Sequence, residues 1–129
     1  MDIVTFQVGD YLYGIPAIHV CRVLEETDIF PVPFMPPCHL GLLLYRGEIF
    51  DVIDAGILLI GQASHAGRAS RILLLKWEDE RLGVIPDAVV GLVCSKGKKD
   101  FGEQKIEILK PQDLMKMVMG TTHGFGKIS

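Results

Sequence analysis

The chain has 129 residues, 49% apolar and 22% charged, which suits one ordinary globular domain and excludes wholesale disorder. Thirteen basic against 16 acidic residues give a net charge of −3, which argues against nucleic acid as the main partner. The longest apolar stretches, Leu40 to Tyr45 and Ala55 to Ile60, fall far short of the roughly 18 residues a membrane span needs, so no direct membrane insertion is expected.

In chain order the rhythm is short and strand-like. Ile3 to Val8 alternates, with Val4, Phe6 and Val8 on one face, and Tyr11, Tyr13 and Ile15 continue the pattern after Gly9-Asp10. Glycine at the first position of a two-residue loop suits a type II′ turn, so residues 3–15 read as a hairpin. Pro16 opens a single helical turn over Ala17 to Val20, and Val20 to Leu24 follows as a strand. Phe30 to Pro37 carries four prolines in eight residues, too many missing donors for a central strand, and reads as an extended surface connection.

Leu40 to Tyr45 and Glu48 to Asp54 read as two strands joined at Arg46-Gly47, a loop whose type arginine leaves open. Gly61 to Ser70 is rich in Gly, Ala and Ser and reads as a mobile crossover. A second hairpin, Arg71 to Trp77 and Arg81 to Pro86, turns around Glu78-Asp79-Glu80, and Asp87 to Val93 is a further strand. Ser95 to Asp100 reads as a charged turn, Ile106 to Leu109 as a short strand, and Pro111 to Met119 as a helix. That helix should turn Leu114, Met115, Val118 and Met119 inward, and residues 121–129 should form a flexible tail. Many short strands between turns argue for small barrels rather than a parallel sheet.

Candidate chemistry is sparse. His19, Cys21, Cys38 and His39 fit no common zinc spacing, and no base or oxyanion site is signalled for a thiol nucleophile. Three cysteines without a CxxC pair suit reduced thiols and a cytoplasmic protein. Acidic Asp2 stands where a signal peptide has its basic region, so no secretory signal is expected. Asp51 and Asp54 lie three apart on a strand and point to opposite faces, which favours strand-end capping over an acid–base pair. No P-loop, dinucleotide fingerprint or HExxH occurs. No enzyme and no cofactor is expected.

Apolar residues sit on both faces of the strands around Arg46-Gly47. Ile49 with Ile53 and Phe50 with Val52 do so on one strand, and Leu42 with Leu44 and Leu43 with Tyr45 on its neighbour. Two-sided apolar strands belong inside a double layer or at a docking surface, and both readings stay open here.

The ordered blocks carry a resemblance. Val4-Thr5-Phe6-Gln7-Val8-Gly9-Asp10, then Tyr13-Gly14-Ile15, then Val20 and Val23, resemble the opening of the CheW-like family, adaptors that couple chemoreceptors to the histidine kinase CheA. Gly41, Arg46-Gly47 and Ile49 to Asp54 match the family's "G…NLRG.I.PV.DL" block, and Gly83-Val84-Ile85 with Asp87 and Val89 its "G(I/V).VD.V" block. The resemblance implies an all-β fold of two small SH3-like five-stranded barrels on a common core. The single domain would be 1–120, with the first barrel mainly 1–60, the second mainly 70–109, and a closing helix 111–119. The segment between Val93 and Gln104 is short for the family, so the second barrel is expected to be truncated by about one hairpin.

The resemblance also implies a non-enzymatic cytoplasmic adaptor without cofactor, whose partners are the regulatory domain of a CheA-type kinase and the cytoplasmic tip of a chemoreceptor. Val20, Arg22, Gly41 and Arg46 would line the receptor groove, and Arg46 leads because its planar guanidinium offers five donors. Leu43, Tyr45, Ile49, Phe50 and Ile53 would form the kinase-docking face. Leu44 and Asp51 stand where the family block has asparagine and proline, and Arg22 where it commonly has an acidic residue. A related paralogue in pilus motility or another signalling array, and a generic SH3-like binding module with other partners, are the alternatives.

Overall fold

The structure, a computed structural model, describes residues 2–25, 28–63, 71–94, 100–101 and 104–127, without the side chains of 100, 101, 104 and 121–127. Among the described residues ten strands and two helices follow one another. They are β1 (Asp2–Val8), β2 (Tyr11–Pro16), β3 (Val20–Leu24), β4 (His39–Tyr45), β5 (Glu48–Asp54), α1 (Ala55–Ile60), β6 (Ile72–Trp77), β7 (Glu80–Ile85), β8 (Ala88–Cys94), β9 (Asp100–Phe101), β10 (Gln104–Ile108) and α2 (Pro111–Lys127). A 3-10 turn over Ala17–His19 links β2 to β3, with Pro16 in front of it as the sequence predicts.

The strands form two five-stranded sheets. The terminal sheet runs β8-β1-β2-β10-β9 and the central sheet β3-β6-β7-β5-β4. The expectation of two small five-stranded units on one core therefore holds, but the chain divides differently between them. Strands from both ends build one unit and residues 20–85 build the other, rather than halves meeting between 60 and 70. The reason is pairing: β1 takes β8 as well as β2, and β2 takes β10 in parallel, so the ends of the chain close on each other. The expected loss of about one hairpin from the second unit is not seen: β9, described over Asp100–Phe101, pairs with β10 and completes the sheet as its fifth strand.

The hairpin β1–β2 turns at Gly9-Asp10 with Gly9 at φ +60°, while Asp10 keeps a negative φ, the type II′ pattern. Its turn is tied down from across the sheet, since the Gly9 amide donates to Asp87 Oδ2 at 2.6 Å. The second hairpin, β6–β7, turns on Glu78-Asp79 alone, because Trp77 already pairs with Glu80.

The shared core lies between the sheets. The terminal sheet sends in Phe6, Val8, Tyr13 and Ile15, and the central sheet Ile53, Leu73, Leu75, Trp77, Leu82 and Val84. Phe6 and Tyr13 stack with ring centroids 5.9 Å apart. Leu109, Leu114 and Val118 close the core from the α2 end. The opposite face of the central sheet has its own interior of Leu43, Phe50, Val52, Ile72, Leu74 and Ile85. Strand β6 and the C-terminal half of β5 are thus buried on both sides, which explains the two-sided apolar sequence there.

Two local readings change and one gap is filled. Ala55–Ile60, an apolar stretch left unassigned from the sequence, is helical, because the Asp54 carboxylate accepts from the Ile57 amide at 3.0 Å and caps the first turn. The closing helix runs beyond 119 to Lys127, through the expected flexible tail, since no proline interrupts its ladder. Within it Met119 is exposed, while Leu114 and Val118 make the buried stripe. Most of the Gly61 to Ser70 crossover (64–70) and of the charged turn (95–99), as well as residues 128–129, lie outside the described residues.

Candidate protein-docking surface

The hairpin β4–β5 carries most of the expected site residues, and its turn sets their directions. Tyr45 pairs with Glu48, leaving Arg46-Gly47 as a two-residue loop. Arg46 has φ +51° and Gly47 φ +79°, so the loop is type I′ with an arginine in the left-handed region. Such a backbone costs about 1–2 kcal/mol for a residue with a Cβ. The exposed guanidinium lies over the Tyr45 ring, 5.3 Å from its centroid.

From this turn the register alternates strictly. Leu43 opposite Phe50 points into the central sheet's own interior, and Leu44 opposite Ile49 points out. Leu43, Phe50 and Ile53 are 1%, 0% and 0% exposed, so these three expected docking residues are core and touch no partner in the folded chain. The physical reason is the double layer: Leu43 and Phe50 fill one interior, and Ile53 is covered by the terminal sheet. Of that set Ile49 is at the surface, at 59%, and Tyr45 is half-buried beneath Arg46. Leu44, at 63%, is the surface residue that the sequence-derived set missed. Counting two residues back from the loop would have found it.

Phe30 extends this outer face. It exchanges backbone hydrogen bonds with Leu42, the Phe30 amide to the Leu42 carbonyl and the reverse, each 2.8 Å. A directly paired residue shares its neighbour's face, so Phe30, Leu42, Leu44 and Ile49 form one apolar ridge across three segments. Asp51 borders it and holds His39, whose Nε2 lies 2.9 Å from Asp51 Oδ1.

The expected receptor residues are not brought together on one strand pair. Val20 and Arg22 lie on β3, Gly41 lies within β4 and Arg46 in the turn just after it, with β6, β7 and β5 between those strands in the hydrogen-bonded order. Val20 is half-buried against the shared core and Arg22 is exposed. Gly41 is buried with φ +149°, and a Cβ there would lie 2.4 Å from the Phe30 carbonyl oxygen. Its role is to let the connection before β4 approach, not to meet a ligand. An open cleft of about 470 Å3 does lie where the first hairpin meets α1, lined by Tyr11, Tyr13, Leu59, Ile60 and the adjoining Gly9, Asp10 and Gln62, and none of the four expected residues reaches it.

The electrostatics are structural in design. Glu48, Lys76 and Arg81 stand at the mouth of the central interior, with Lys76 Nζ 2.9 Å from Glu48 Oε1 and Arg81 Nη2 3.3 Å from Oε2. The hydrogen bonds from Lys76 and then Arg81 hold the Glu48 carboxyl below the usual glutamate range. Burial pushes the Cys38 thiol up, and Asp54 adds to the shift, which opposes the thiolate a nucleophile needs. Among the described residues no three His, Cys, Asp or Glu side chains gather as metal ligands would, and no helix is long and apolar enough to cross a membrane.

The family model of the CheW-like domain matches residues 2–122. The chain belongs to the CheW-like family. Two curated relatives are the chemotaxis protein CheW of Treponema pallidum (strain Nichols), 28% identical over 102 residues, and that of Helicobacter pylori (strain ATCC 700392 / 26695), 24% identical over 87. These alignments cover 72% and 67% of this chain but 57% and 53% of the relatives, so this CheW-like chain spans little more than half the length of these curated relatives. Among solved structures, the scaffolding protein TtCheW from Thermoanaerobacter tengcongensis matches with a TM-score of 0.78 and 23% identity, over 88% of this chain and 86% of that one. That match shows a shared CheW-like fold.

Proposed function

We propose that this CheW-like chain is a non-enzymatic cytoplasmic adaptor that joins chemoreceptors to a CheA-type histidine kinase. The observation that carries the reading is the apolar ridge of exposed Phe30, Leu44 and Ile49 with half-buried Leu42 among them, on the outer face at the β4–β5 edge of the central sheet. Adjacent exposed apolar side chains of this kind mark protein contacts. The family membership supplies the partner: the ridge docks on the kinase regulatory domain, and Arg46, displayed on a strained turn, contacts the receptor tip, with Arg22 and the margin of Val20 as secondary candidates on β3. Gly41 supports both contacts through the backbone it admits.

Binding of the purified full chain to a kinase regulatory domain and to a receptor tip tests this. Ile49→Glu should weaken kinase binding at least about tenfold, roughly 1.4 kcal/mol, with the melting temperature close to the parent's. Arg46→Ala should weaken receptor binding and spare the kinase. Normal binding of both partners by both folded variants would refute the assignment.

A further inference from the structure

The connection between β3 and β4 is held at its ends and displays its middle. Phe30 is zipped to Leu42, the His39 amide donates to the Pro36 carbonyl at 2.9 Å, and the Asp54 amide to the Cys38 carbonyl at 2.7 Å. Pro36 and Cys38 are buried, and Pro31 and Pro33 restrict the backbone between the two ties. Phe34 stands in that span, 103% exposed, with Met35 beside it at 41%. Its φ of +62° lies in the left-handed region, where a bulky side chain is an outlier and glycine fits without strain.

Phe34 therefore contributes no burial to its own fold and strains its backbone. A strained, exposed aromatic on a proline-stiffened strap has paid its ordering cost before any partner arrives, as an interface anchor does. The charge along the strap is one-sided: from Asp28 to Cys38 the chain carries Asp28 and no lysine or arginine, while Glu25 ahead of it is paired with Arg71 at 4.0 Å. Glu25 and Asp28 are exposed. An acidic approach to an apolar tip complements a socket that is apolar within and basic at its rim. The strap is also continuous with the ridge, because Phe30 belongs to both.

We infer that the strap of residues 28–37 is a second arm of the kinase contact, with Phe34 inserted into an apolar, basic-rimmed socket on the kinase regulatory domain. This rests on the reading that the ridge docks on that domain.

Calorimetric titration of a purified CheA-type regulatory domain against the full chain, alongside its thermal melting, separates the two claims. Phe34→Gly should melt no lower than the parent, because it gives up no burial and relieves the left-handed strain, yet bind at least about tenfold more weakly. Asp28→Lys should weaken binding several-fold at low salt, with the difference shrinking at high salt. If Ile49→Glu loses binding while Phe34→Gly keeps it, the ridge stands and the inference about the strap falls. A marked drop in the melting point of Phe34→Gly makes Phe34 a structural residue and overturns it as well. So does a loss confined to a receptor-tip peptide, and a parent chain that does not bind the kinase removes both claims.

Discussion

The central and terminal sheets have the same number of strands and very different means of support. The central sheet packs six buried apolar side chains on its private face and shares its other face with the rest of the molecule. On the corresponding private face of the terminal sheet the described buried side chains are Ile3, Thr5, Leu12 and Ile106, and Thr5 spends its hydroxyl on the Gly91 carbonyl at 2.9 Å. Among the described residues the central unit thus has a larger apolar interior of its own than the terminal one. The contrast teaches where a truncation is felt: among the described residues the central sheet has the more apolar private interior to lose.

Paired truncations test that contrast most strongly. Phe50→Ala should cost about 3–5 kcal/mol in denaturant unfolding and Leu12→Ala about 2–3 kcal/mol, at the low end for a buried leucine. Equal losses would break the comparison. A smaller effect probes the edge of the central sheet. Gly41→Ala forces a Cβ against the Phe30 carbonyl and should cost about 1–3 kcal/mol, with the Phe30–Leu42 amides losing protection from hydrogen exchange first. Smaller again is the junction between the units: Asp54→Ala removes the cap of α1 and should cost about 1 kcal/mol by the same unfolding measurement.

The charged mouth of the central barrel sharpens the comparison through pH. Glu48 is held below its ordinary range by Lys76 and Arg81, so its contribution is present above the unfolded glutamate value of about 4.3 and is lost as pH falls through the lower folded value. The stability gap between the parent and Glu48→Gln should therefore be constant near neutrality and close below about pH 4. A gap that persists at lower pH would show that Glu48 acts by packing instead.

Much of the site's position was legible in the sequence, but half of its direction was not. The strands flanking Arg46-Gly47 follow from their apolar runs, whereas Asp54, for which the sequence suggests strand-end capping, caps the helix α1 instead. Which side of β4–β5 faces outward was not legible, since Leu43 and Leu44, or Ile49 and Phe50, are chemically alike. Asp51 stands where the family block has proline, and its partner His39, 2.9 Å away across the strand pair, is not legible from spacing.

By itself the sequence determined the local elements: the hairpins, the proline-rich connection, the helix after Pro111 and the family to which the blocks belong. Those depend on alternation, turn chemistry and missing amide donors, all of which act over a few residues. Only the tertiary structure decided that the two ends of the chain build one sheet, that Leu43, Phe50 and Ile53 are covered, and that Phe30, Leu44 and Ile49 are left bare. Burial depends on what packs over a face, and for these strands the covering layer comes from residues far away in the chain.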